Sequence, residues 1–199
     1  MAKDALIVID MQNDFCPGGA LAVDGGDDIV PIINKLILRF DRVILTQDWH
    51  TSGHSSFASS HPGKAPFETI TMPYGEQTLW PDHCIQGMPG AEFHQGLHWT
   101  KAELIIRKGF RPHIDSYSAF FENDRITPTG LAGYLRERGI TNVTFAGLAT
   151  DYCVAYSALD AVAHGFTAEV LLDACRAIDL GGSLAAMTAE MRKAGVTLI

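Results

Sequence analysis

The chain is poor in cysteine and in positive charge, and it has no long apolar run. Its four cysteines, Cys16, Cys84, Cys153 and Cys175, form no CxxC pair and no close spacing. That excludes a disulfide framework or a cysteine-rich zinc module and predicts reduced thiols. Fifteen Lys and Arg stand against 23 Asp and Glu, a net charge of −8 with no block of like charges. A basic footprint for nucleic acid is therefore excluded. Residues 1–10 hold no basic leader followed by an apolar core, because Asp4 and Asp10 bracket the only apolar run there, so no secretory signal is expected. No apolar stretch approaches the ~20 residues that cross a bilayer. A cytoplasmic protein without membrane or nucleic-acid partners is the expectation. Internal repeats and low-complexity tracts are also absent.

What is present is the composition of one globular domain spanning 1–199: 47% of residues are apolar and 19% charged. A chain of this length can bury a full core unaided, so stability alone does not account for metal ligands found in it. Asp4-Ala-Leu-Ile-Val-Ile-Asp10 is a continuous apolar run closed by an acid, the pattern of a strand buried on both faces. Asp27 is a candidate cap for a helix in which Ile29, Ile32, Ile33, Leu36, Ile37 and Phe40 follow helical spacing. Further strands are predicted at 42–47, 104–107, 143–146, 168–172 and 196–199. Further helices are expected after Thr129 with Leu131 and Leu135, over 151–164, and from Ser183 to Gly195. This alternation predicts an α/β fold, a Rossmann-like three-layer α/β/α domain with a six-stranded, mostly parallel sheet. The segment 50–101 breaks the rhythm: it shows no sustained period, is punctuated by proline and glycine, and carries His50, His54, His61, His83, His94 and His98. A loop this long inside a compact domain is expected to be functional.

In such sheets ligands bind beyond the carboxyl ends of the strands, and reactive residues fall there. Asp10 ends the first strand, Asp48 and His50 follow the second, Lys108 the third, and Cys153 opens the helix after the fourth. A thiol at a helix N-terminus beside a lysine is expected to have a lowered pKa and to act as a nucleophile. Asp10 is placed to exchange its proton, with Lys108 as the third member. The Gly147-Leu-Ala-Thr-Asp151 turn can expose the cysteine and aim backbone N–H groups at an oxyanion. Asp48 and His50, with His83 from Trp80-Pro-Asp-His-Cys84, offer one carboxylate and two imidazoles, a set that suits zinc, iron or manganese and leaves positions open. His54 is a candidate to orient that cluster or its loop. Phe15, Trp80 and Tyr117 can wall a slot for a planar ring. Taken singly, each residue also has an ordinary structural reading: an inert buried cysteine, a solvated lysine, histidines serving loop backbone, aromatics in a core.

Five motifs in order carry more weight. Asp10-Met-Gln-Asn-Asp-Phe-Cys-Pro-Gly-Gly, Asp48-Trp-His50 with His54 and Phe57, Trp80-Pro-Asp-His-Cys84, Lys108-Gly with Asp115-Ser-Tyr-Ser118, and Gly147-Leu-Ala-Thr-Asp-Tyr-Cys-Val154 together resemble the nicotinamidase (pyrazinamidase) branch of the isochorismatase-like cysteine hydrolases. The resemblance implies a metal-dependent amidohydrolase that converts nicotinamide to nicotinate and ammonia in NAD salvage, with pyrazinamide as a second substrate. It implies a triad of Asp10, Lys108 and Cys153, metal ligation by Asp48, His50 and His83, and ring contacts from Phe15, Trp80 and Tyr117. It also implies a cis peptide at Leu148–Ala149 and an oxyanion site at the N–H groups of Ala149 and Cys153. The other readings are a carbamoyl or ureido amidohydrolase of the same superfamily, against which the metal set argues, and a non-catalytic metal- or ligand-binding module. Metal identity and oligomeric state, including a homo-oligomer, are left open, as are the roles of Cys16 and Cys175.

Overall fold

The computed structural model describes residues 3–199. Six strands form one wholly parallel sheet: β1 (Asp4–Ile9), β2 (Val43–Asp48), β5 (Leu104–Lys108), β6 (Asn142–Leu148), β7 (Thr167–Arg176) and β8 (Thr197–Leu198). Their spatial order is β5-β2-β1-β6-β7-β8, and every neighbouring pair is parallel. The apolar run that opens the chain is the reason β1 lies central. Its Ile7 and Ile9 face a core shared with Leu131 and Leu135 of α2 (Leu131–Glu137), Ala155 and Ala158 of α3 (Ala155–Ala163) and Met191 of α4 (Ser183–Ala194). Its Leu6 and Val8 face the other way, onto Ile33 and Ile37 of α1 (Val30–Arg39). A strand covered on both faces has no polar alternation to display, which is why it reads as a continuous run.

Three expectations need correction. Asp27 does not cap α1: the cap position is Ile29, with no side-chain hydrogen bond, and Asp27 contributes only its carbonyl to Val30 N–H. The helix expected over 151–164 begins instead as a π turn, Thr150–Val154, and becomes α-helical only at Ala155. The segment 50–101 contains a hairpin, β3 (Thr69–Met72) against β4 (Gly75–Thr78). It escaped detection because its side chains alternate between exposed and half-buried, with Gln77 the one buried residue. Thr129 does act at the start of α2, its hydroxyl accepting from Leu131 N–H at 3.2 Å.

The order of strands reverses between β1 and β6, the place where doubly wound sheets open a crevice. There Ile9 lies opposite Gly147. Gly147 has φ +126°, and a Cβ on it would lie 2.1 Å from the Ile9 carbonyl oxygen. Between Phe145 and Gly147 the register with β7 shifts, the extra residues lying in β7, while β6 stays in register with β1 up to Ile9–Gly147 and runs on into the turn that carries Cys153. Gly147→Ala is expected to destabilise the fold by at least ~2 kcal/mol, combining a forbidden φ with a backbone collision; the midpoint of chemical denaturation measures it. No helix among the described residues is long and apolar enough to cross a membrane.

Candidate active site and cation site

Three strand ends and the π turn bring the predicted residues together. Lys108, at the end of β5, is 1% exposed. Its Nζ lies 2.8 Å from Asp10 Oδ2 and 3.0 Å from Asp48 Oδ1, donates to Ser116 O at 3.1 Å, and reaches Cys153 Sγ at 3.4 Å. Burial works against its charge, but Asp10 and Asp48 hold its pKa well above the lysine norm. Asp10 is fully buried with left-handed backbone, φ 46°. Thr46 Oγ1 anchors it, accepting from its N–H at 3.1 Å and donating to Oδ1 at 2.6 Å. Burial raises the Asp10 carboxyl above the ordinary range, against the pull of Lys108 and with a further push from Asp48.

The Cys153 thiol departs from expectation. Burial drives its pKa well above the ordinary cysteine value, and the Lys108 ammonium does not offset it. The sequence argument weighed the helix terminus and the lysine but had no measure of desolvation, the largest contribution here. The resting group is a neutral thiol, so its activation requires a base. Ala149 lies beside it in the pocket wall, and the Leu148–Ala149 peptide is cis.

Asp48, His50 and His83 offer ligand atoms that lie within 4.8 Å of one another, all three residues buried. His50 Nδ1 is 2.9 Å from Gly109 O, and His83 Nδ1 is 2.8 Å from Pro81 O. A carbonyl can only accept, so each Nδ1 carries a hydrogen, and Nε2 is the atom that each ring turns inward. Those Nε2 atoms lie 2.9 and 3.2 Å from Asp48 Oδ2. Metal binding would take both Nε2 atoms in their unprotonated form, with a carboxylate oxygen of Asp48 as the third donor. The site therefore fits a divalent cation bound by nitrogen and oxygen. His50 and Lys108 hold the Asp48 carboxyl well below the usual carboxylate range despite its burial. Phe57 packs edge-on against His50, centroids 5.3 Å apart, and lies 5.5 Å from His83. Backbone bonds from His50 N to Cys84 O and from Gln86 N to His50 O, at 3.0 and 2.9 Å, tie the two histidine segments together. Asp14 accepts from Cys84 N–H at 2.7 Å and so helps seat His83.

Phe15, Leu21, Trp80, Tyr117, Tyr152 and Ile178 wall the pocket above these groups, with Asp48, His83, Lys108, Asp115 and Cys153 also lining it. Residues 4–199 match the model of the isochorismatase domain. The chain belongs to the isochorismatase family. It is 57% identical to the nicotinamidase of Acinetobacter baylyi, an alignment covering 98% of this chain and 91% of that protein. Its structure is similar to that of a nicotinamidase and pyrazinamidase of Acinetobacter baumanii, with TM-score 0.98, 58% identity, and coverage of 99% of this chain and 95% of that one. It is also similar to the pyrazinamidase of Pyrococcus horikoshii in complex with zinc, with TM-score 0.80, 37% identity, and coverage of 100% and 99%.

Within this isochorismatase-family site, His54 does not touch the three ligand atoms through a hydrogen bond. Its Nδ1 meets Ser56 Oγ at 2.8 Å and its Nε2 meets Arg111 O at 2.8 Å, so it ties the loop down beneath the His50 ring. Sequence reasoning gave no role to Tyr152, Asp115, Gln77 or Asp151. The Asp151 carboxylate accepts from Ile178 N–H at 3.0 Å, from Asp179 N–H at 2.8 Å and from the Ser183 hydroxyl. It thereby fixes the segment that carries Ile178 to the pocket. These residues have no spacing signal, because their partners come from distant segments. Gly109 shows how tightly the cluster is set: φ is +65°, and a Cβ would lie 2.5 Å from His50 Cε1. Gly109→Ala is expected to turn the His50 ring and weaken zinc binding by at least tenfold, read as metal per chain after dialysis against a chelator.

Proposed function

We propose that this chain is a nicotinamidase, a cysteine amidohydrolase that releases ammonia from nicotinamide and leaves nicotinate, and that pyrazinamide is a second substrate. The observation that carries the reading is a buried thiol, ammonium and carboxylate in mutual contact, sharing Asp48 with a set of cation ligands beneath an aromatic-walled pocket. The identity of the relatives supports the substrate class. Asp48, His50 and His83 would hold a divalent cation, zinc or iron ahead of manganese, which would supply Lewis-acid chemistry toward the substrate ring.

Phe15, Trp80 and Tyr117 hold the ring flat, so the carboxamide carbon faces Cys153. Asp10 takes the thiol proton as sulfur adds to that carbon, and Lys108 stabilises the charge passing between sulfur and carboxylate. The N–H groups of Ala149 and Cys153 bind the developing oxyanion; loss of one such donor typically costs about 10²–10³ in turnover. Asp10 returns the proton to the departing nitrogen, ammonia leaves, and a thioester remains. Asp10 then draws a proton from water as the water oxygen attacks the thioester. The Asp10 proton returns to sulfur as the C–S bond breaks, and the nicotinic acid formed gives its carboxyl proton to solvent and departs as nicotinate.

Cys153→Ala is expected to abolish ammonia release from nicotinamide without loss of fold; unchanged activity would remove the covalent route. Because burial raises Asp10, its basic form is lost as pH falls through a value above the ordinary 3.8. The acid limb of a kcat/KM profile should therefore sit above that value, and Asp10→Asn should eliminate the activity that defines it. Because the thiol is neutral at rest, alkylation of free enzyme by iodoacetamide should be slow at pH 7 and accelerate only above the ordinary cysteine value of 9.0. Rapid modification at pH 7 would show a thiolate ground state instead.

A further inference from the structure

Asp115 is 2% exposed, lines the pocket, and takes no part in the chemistry above. Its Oδ1 lies 3.9 Å from His50 Nε2, the inward-turned nitrogen of the cation cluster. That is too far for a hydrogen bond. Its own partners are neutral: Ser116 N–H donates to Oδ1 at 2.8 Å and Gln77 Nε2 to Oδ2 at 2.8 Å. Among the described residues no lysine or arginine comes within ion-pairing distance of it, and Lys108 is already engaged by Asp10, Asp48 and Ser116. A buried carboxylate with only neutral donors is costly unless a cation faces it. The one ammonium is taken up by Asp10 and Asp48, so Asp115 adds a carboxylate that it does not pair, an excess that a doubly charged ion balances.

Gln77 explains how Asp115 is aimed. It is fully buried on the otherwise open hairpin β3–β4. The nitrogen of its amide must face Asp115, since a carboxylate only accepts. Its Oε1 accepts from Asn123 Nδ2 at 3.2 Å and from the Tyr74 hydroxyl at 3.1 Å. Asn123 is oriented in turn because its Oδ1 accepts from Tyr117 N–H at 3.0 Å. The donations run from Tyr117 N–H through Asn123 and Gln77 to the Asp115 carboxylate, and the Gln77 nitrogen also reaches Thr78 O at 2.7 Å and the Tyr117 hydroxyl at 3.0 Å.

We propose that Asp115 is a further carboxylate of the cation site, outside the three direct ligands, accepting hydrogen bonds from the hydration shell of the bound divalent ion, with Gln77 as the residue that positions it. The proposal rests on the reading of Asp48, His50 and His83 as a cation site and does not depend on the substrate. Zinc-loaded wild type, Asp115→Ala and Asp115→Ser are equilibrated with a competing chelator, and zinc retained per chain gives the affinity. Melting temperatures are taken with and without zinc. Both variants are expected to bind zinc about 10- to 100-fold more weakly. Their metal-free melting temperature should not fall below that of wild type, since a carboxylate near Asp48 is removed, whereas the zinc-loaded value should drop. The serine variant keeps an acceptor for Ser116 N–H, so a folding failure of the alanine variant leaves the test standing. Zinc affinity within twofold of wild type, or an equal loss of melting temperature in both forms, would make Asp115 a structural residue and overturn the proposal. Wild type that retains no zinc would overturn the cation site itself, a separate failure that the same titration identifies.

Discussion

The Lys108 ammonium is the charge around which the site is assembled. It stands where β5 ends, opposite Asp48 at the end of β2 and within reach of Asp10 at the end of β1. Two carboxylates this deeply buried cannot both be ionised without a positive partner, because the interior offers no water to screen them. The same ammonium touches the thiol of Cys153. The reactive group and the cation cluster are therefore a single electrostatic unit. Asp48 divides its oxygens between them, Oδ1 toward Lys108 and Oδ2 toward His50 and His83.

This arrangement sets the reactivity of the cysteine by a route different from the familiar one. In a solvent-facing site a lysine and a helix terminus lower a thiol's pKa and leave a standing thiolate. Here desolvation outweighs the lysine and drives the thiol upward, and burial raises the Asp10 carboxyl as well. The fold maintains that dryness by closing aromatic and aliphatic side chains over the strand ends.

The long segment between β2 and β5 has almost no regular structure, yet it supplies His50, His83, Trp80 and the hairpin. It is ordered by individual polar bonds in place of a ladder. Asp14 grips Cys84, Gln12 reaches the carbonyls of Asp48 and Ala91 at 2.8 and 2.9 Å, and His54 reaches Arg111. Each satisfies backbone that would otherwise be buried unpaired. Irregular backbone anchored in this way can place single side chains at positions that a helix or strand repeat would not reach.

The sheet was legible in the sequence because β1, buried on both faces, leaves an unbroken apolar run, and five shorter strand-like segments follow it in order between the helices. The candidate triad and cation ligands were legible because each stands at a strand end or in a short motif. The local pattern thus determined which residues were available and on which side of the sheet they would gather. The tertiary structure decided three things that no local pattern carries. It decided that burial outweighs charge at Cys153, because desolvation depends on every atom that covers the sulfur. It decided which nitrogen of His50 faces inward, because the Gly109 carbonyl is brought up from a segment 59 residues away. And it brought Gln77, Asp115 and Asp151 to the site, because Gln77 and Asp115 stand 38 residues apart, and Asp151 and Ile178 27 apart, and meet only once the chain has folded.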